Sequence, residues 1–141
     1  MFYKRSCIIL SAQSVHQAYK NNSVSTASPG ELTLMLYNGC LKFLGKSKIA
    51  ITEKNIQEKN VNLQKAQKII QELMVTLNMN IEISQSMMQM YEYMNHRLID
   101  ANLKNDVQII EEVEGYVLEF RDTWKQVIQL NRQKQFTGDQ A

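Results

Sequence analysis

The stretch from Asn22 to Leu44 changes character at one point, and that change limits the architectures open to the chain. Upstream it is polar and has no hydrophobic period; downstream it is densely apolar. Ser28, Pro29 and Glu31 predict the start of a helix. The Ser28 hydroxyl can accept from a free backbone N–H, Pro29 suits the first helical position, and Glu31 stands where a capping box needs it. Beyond lie Leu32, Leu34, Met35, Leu36, Tyr37, Cys40, Leu41, Phe43 and Leu44. A single core-facing stripe needs only about three or four apolar positions per two turns. This helix has more than one stripe, so its surplus face must be covered by the chain's own fold or by a partner.

The remaining pattern is helical throughout. The first helix is expected over about 29–51. A second begins near Asn55, where Asn55 and Glu58 can form a capping box, and carries Ile56, Leu63, Ala66, Ile70, Leu73 and Leu77 at the spacing of long packed helices. The 78–80 region breaks that pattern. A third helix, about 83–104, has the stripe Met87, Tyr91, Met94, Leu98 and Ala101. Asn105, with Gln108 three residues on, reads as the next N-cap. The fourth helix runs to about 131 on Val107, Ile110, Val113, Val117, Phe120, Trp124 and Val127, which predicts a buried Trp124. Together these predict an all-α fold, an antiparallel four-helix bundle. Residues 1–27 read as a loosely ordered N-terminal tail or cap segment, 28–131 as the bundle and 132–141 as a frayed C-terminal tail.

Composition agrees and removes other classes. One proline and five glycines are too few turn residues for a sandwich or barrel. A net charge of +2 gives no case for nucleic acid. Lysines 42, 46, 48, 54, 59, 65 and 68 read as a solvated face. Cys7 and Cys40 do not make a disulfide framework and fit a reducing compartment. The apolar run 7–10 is shorter than the roughly 7–15 residues of an export signal, and nothing approaches the roughly 18 of a membrane span. The expectation is a cytoplasmic protein without membrane insertion. A di-iron bundle needs Glu-x-x-His pairs on two helices, whereas His96 follows Glu92 by four residues and His16 is in the tail. No phosphate loop, CxxC pair or Gly-x-Ser-x-Gly is present. No metal, cofactor or catalytic site is expected, and the chain is not expected to be an enzyme.

The features that stand out are binding features: the over-apolar first helix and a methionine cluster at Met87, Met88, Met90 and Met94, near Met74 and Met79. Methionine is flexible and polarizable, suited to mobile apolar partners as well as to a soft core. Gly39 and Gly115 lie inside helices, where close helix contact is the commoner reason for glycine.

Several segments carry a family likeness. Residues 17–20 (Gln-Ala-Tyr-Lys), 25–39 (Ser-Thr-Ala-Ser-Pro-Gly-Glu-Leu-Thr-Leu-Met-Leu-Tyr-Asn-Gly), 62–66 with 69–73, 90–94 with Arg97 and Leu98, and Phe120-Arg121-Asp122-Thr123-Trp124 resemble, in order and spacing, the flagellar secretion chaperone family FliS. Residues 1–14 resemble nothing in that pattern. The resemblance implies a helical bundle without catalysis whose cargo is the C-terminal segment of unpolymerised flagellin. It also implies a role in preventing premature filament assembly and in delivery to the flagellar type III export apparatus and its gate. Candidate flagellin contacts are Tyr19, Leu32, Leu34, Met35, Tyr37, Leu41, Met87, Met90 and Met94. Val15, Ala18 and Tyr19 are expected to fold back as a movable cap. The competing expectation is a structural or adaptor bundle that buries its surplus face by self-association, as in a symmetric homodimer.

Overall fold

A computed structural model describes residues 28–139, and these form four helices: α1 (Pro29–Thr52), α2 (Ile56–Val75), α3 (Glu82–Lys104) and α4 (Val107–Asp139). There is no strand among the described residues. α1 packs on α2 and α4, and α3 packs on the same two, so α1 and α3 occupy diagonal corners of an all-α bundle. Connections this short turn each helix back against the one before it.

The local signals for helix starts act as expected at two sites. Ser28 accepts from the Glu31 amide, and the Glu31 carboxylate accepts from the Ser28 amide in return. Glu31 also pairs with Arg132, which ties the first turn of α1 to the far part of α4. Asn55 accepts from the Glu58 amide at 3.1 Å, giving half of the expected box. The third site differs. Asn105 is not an N-cap but the left-handed C-cap of α3, with φ 52°. Asp106 caps α4 instead, accepting from the Gln108 amide at 2.9 Å. Asparagine suits both roles, because its short amide tolerates the left-handed region as well as capping. α4 also runs past 131 to Asp139. Nothing between Asn131 and Phe136 breaks a helix.

The core is one cluster drawn from all four helices, including Cys40 and Leu44, Leu63 and Ile70, Tyr91, Met94 and Leu98, and Ile110, Val113 and Val117. At its centre Tyr37 of α1 and Tyr91 of α3 meet across the bundle diagonal, hydroxyl to hydroxyl at 2.6 Å. Phe120 of α4 stacks on Tyr37 at 6.3 Å and tilts against Tyr91 at 5.7 Å. Trp124 is half-buried rather than enclosed. It packs on the edge of the core and its indole N–H donates to the Gly30 carbonyl at 2.8 Å. Gly115 is exposed, and a side chain there would meet open space, so it mediates no close helix contact.

Two consequences can be measured. Removing one member of the phenol pair strands the other hydroxyl in the core. Tyr37→Phe is therefore expected to cost about 1–3 kcal/mol in urea denaturation, while Tyr37→Phe with Tyr91→Phe lies closer to the parent than the sum of the singles. Simple additivity would contradict a coupled pair. Glu72 is the second case. Its Oε2 is buried and has no hydrogen-bond partner, and burial raises the carboxyl's pKa. The folded state thus holds this proton more tightly than the unfolded chain does. The stability this contributes is present at acid pH and is lost as pH rises through the raised value. Glu72→Gln is expected to raise the Tm near about pH 7 and to converge with the parent near about pH 4. An equal shift at both values would refute the assignment.

Candidate functional site

The apolar surplus of α1 divides into distinct edges. Leu34 and Leu41, one heptad apart, continue along the helix to Lys48, whose ammonium meets Glu114 of α4 at 2.6 Å. They therefore line the seam between α1 and α4, and both are partly buried. Leu32 lies on the other edge, in line with Leu36 and with Phe43, whose ring is approached by Lys65 of α2. Met35 stands further round that edge and is also partly buried.

On α3, Met87 and Met90 are partly buried, and Met87 packs against the core from its margin. Two of the expected contact residues are elsewhere. Tyr37 is 2% exposed and Met94 0% exposed. Both are core residues in the closed bundle and offer no surface to a partner. For Tyr37 the reason is geometric: on a helix that is apolar nearly all round, periodicity does not say which stripe faces inward; Met94 lies on the inward stripe that the spacing of α3 predicts. Because α1 and α3 stand on diagonal corners, the leucine edge of α1 and the methionines of α3 do not form one groove. Tyr19, with the expected cap of Val15 and Ala18, lies outside the described residues.

Several ionisable groups are held inside the fold. Burial, with the Glu114 carboxylate adding to it, pushes the Cys40 thiol up to about 12. Burial raises both phenols of the Tyr37–Tyr91 pair. On the outer face of α3, Glu112 of α4 accepts from Tyr93 and from Arg97, each at 3.0 Å, and Arg97 also reaches Asp100. No group of His, Cys, Asp or Glu side chains that could hold a metal occurs among the described residues. A cleft of about 310 Å³ opens at the α1–α2 turn, with Ile51 and Ile56 among its walls. Its polar wall is already engaged: Lys59 donates to the Asn102 carbonyl at 2.9 Å and to the Asn105 side chain.

Sequence reading missed three features. One is Lys59, nearly buried although its neighbours suggested a solvated face. Another is a run of exposed apolar side chains at the α2–α3 turn, Val75, Met79, Ile81 and Ile83. The third is a ring of lysines about Phe43, at 5.3 to 5.9 Å from its centroid. The spacing of Lys42 and Lys46 around Phe43 hinted at this, but the share from α2 is invisible in sequence.

Fold and surface together define a helical bundle whose apolar edges are only partly covered. The chain belongs to the FliS family: the model of flagellar protein FliS matches residues 11–131. The flagellar secretion chaperone FliS of Bacillus subtilis (strain 168) is 58% identical over 123 residues, covering 87% of this chain and 92% of the relative. The Escherichia coli (strain K12) protein of the same name is 37% identical over 117 residues, covering 81% and 86%. A crystal structure of a bacterial flagellar chaperone superposes with a TM-score of 0.68 at 19% identity, over 83% of this chain and 97% of that one, and so supports the fold. This is a chaperone family of flagellar export, not an enzyme family. No helix among the described residues is long and apolar enough to cross a membrane.

The Cys40 environment makes a prediction. In a Cys7→Ser background the native protein is expected to be unreactive toward a disulfide reagent at about pH 8, and to react in denaturant. Rapid reaction of the native state would mean that the α1–α3 core opens readily.

Proposed function

We propose that this protein is a cytoplasmic export chaperone that holds the C-terminal segment of flagellin, blocks its premature polymerisation and assists its delivery to the flagellar type III export apparatus. It does this by binding alone, without catalysis. The observation that carries the reading is the set of incompletely covered apolar side chains on α1, Leu32, Leu34, Met35 and Leu41, in a chain of the FliS family. These positions sit on a rigid, internally bonded helix, so an amphipathic segment of cargo can lay its apolar face on them without the bundle rearranging. Met87 and Met90 on α3 offer a second, softer contact. An otherwise disordered tail that wraps both corners gains helix as it binds, and its ordering costs about 2–5 kcal/mol of the gross interaction. While it is wrapped, the apolar face that would join a filament is occupied. Tyr37 and Met94 support this surface from beneath.

Calorimetry with full-length flagellin and with flagellin lacking its C-terminal segment tests the proposal. Binding is expected to a one-to-one complex with the first and to be absent with the second; equal binding of both would sink the claim. Leu34→Gln with Met35→Gln is expected to weaken the complex by roughly tenfold or more while the bundle, though less stable, stays folded at the assay temperature. A stable dimer in light scattering that ignores flagellin would instead favour self-association.

A further inference from the structure

The outer face shared by α1 and α2 is electrostatically one-sided. Between Glu31 and Glu53 the chain has Lys42, Lys46 and Lys48 and no acid; between Glu58 and Glu72 it has Lys59, Lys65 and Lys68 and no acid. Lys48 and Lys59 are used inside the fold, on Glu114 and on the C-terminal end of α3. The others are not. Lys42, Lys46 and Lys65 are exposed, and none pairs with a carboxylate among the described residues. Their ammonium groups stand 5.9, 5.9 and 5.3 Å from the centroid of one ring, that of Phe43, which is itself only partly buried. Gathering three like charges about one ring is unfavourable, and the face of that ring offsets only part of it. Such a cluster stands at a positive potential that an anionic partner would neutralise.

We propose that Phe43 and its three lysines form a docking site for an acidic protein segment in which an apolar side chain is flanked by carboxylates. The apolar side chain rests on the Phe43 ring and the carboxylates take the ammoniums of Lys42, Lys46 and Lys65. The occupant is not the chain's own N-terminal segment, because residues 1–27 contain no Asp or Glu. Nucleic acid fits poorly. The charge is confined to a small patch with an apolar centre, and α4 carries Glu111, Glu112, Glu114 and Glu119, which would repel a polyanion tracking round the bundle. The site lies across α1 from Leu34 and Leu41 at the α1–α4 seam, while Leu32 and Met35 adjoin it on its own edge, so a second partner can read the chaperone while cargo is held at that seam.

The test is fluorescence anisotropy with a labelled peptide, Asp-Glu-Asp-Leu-Leu-Asp-Glu-Asp, and the whole chain. Wild-type protein is expected to bind it, and to bind roughly tenfold or more weakly when NaCl is raised from about 50 to about 300 mM. Lys42→Gln, Lys46→Gln and Lys65→Gln combined are expected to weaken binding by at least roughly tenfold, with the melting temperature unmoved because all three side chains are at the surface. Lys104→Gln, Lys125→Gln and Lys134→Gln combined, on the other helices, serve as the charge-matched control and are expected to leave binding unchanged. Flagellin binding by the triple variant is expected to be intact, which separates failure of this site from failure of the cargo site. Three results would overturn the proposal: equal loss in the control variant, tighter binding of oligothymidine or of phosphatidylglycerol vesicles than of the peptide, or lysine-dependent self-association of the protein.

Discussion

Two phenol hydroxyls that meet in the middle of an apolar bundle set the terms for everything around them. A hydroxyl buried without a partner is costly, so Tyr37 and Tyr91 hold α1 and α3 at one separation and one rotation, or both lose their bond. Phe120 then fills the space beside them from α4. Apolar packing alone tolerates sliding and repacking; a polar contact between diagonal helices does not. With α1 locked in rotation, Leu34 and Leu41 are held at the α1–α4 seam and Phe43 at the α1–α2 seam. The surfaces proposed for partners are thus consequences of a contact that no partner touches.

What could be read in the sequence is what is encoded locally. The Ser28–Glu31 box and the Asn55 cap depend on residues within one turn, and the heptad and 3.6 spacings mark α2, α3 and α4 without ambiguity. Asn105 was misread because one residue type serves both helix ends, and only the backbone at φ 52° decides between them. The burial of Tyr37, a candidate flagellin contact in the sequence, has a different reason. Where apolar residues cover several faces of a helix, which of them is core depends on neighbours far away in the chain. The same holds for Lys59, whose acceptors are a carbonyl and a side chain at the end of α3. Charge counting along the chain gave no sign that Lys42, Lys46 and Lys65 would converge on one ring, because Lys65 reaches it from another helix.

The two long edges of α1 differ in chemistry. Toward α4 the edge is apolar and closes at its lower end with the Lys48–Glu114 pair. Toward α2 it sets Leu32, Met35 and Phe43 beside the ammoniums of Lys42 and Lys46, so apolar and cationic groups alternate. A single helix thereby presents surfaces of distinct selectivity on either side of a shared core stripe. This accounts for a first helix richer in apolar residues than a bundle needs: one stripe builds the fold and the remainder is divided between edges that stay partly open.

Trp124 is the chain's one tryptophan, and it sits where the first turn of α1 meets α4, with its N–H on the Gly30 carbonyl. An indole so placed is an optical gauge built into the seam. Its emission reports the polarity around that contact alone, with no background from other tryptophans in the chain. Any event that parts the two helices, whether a ligand wedging between them or the far end of α4 unwinding, would be visible as a spectral shift in unlabelled protein, at micromolar concentration and on the timescale of a mixing experiment.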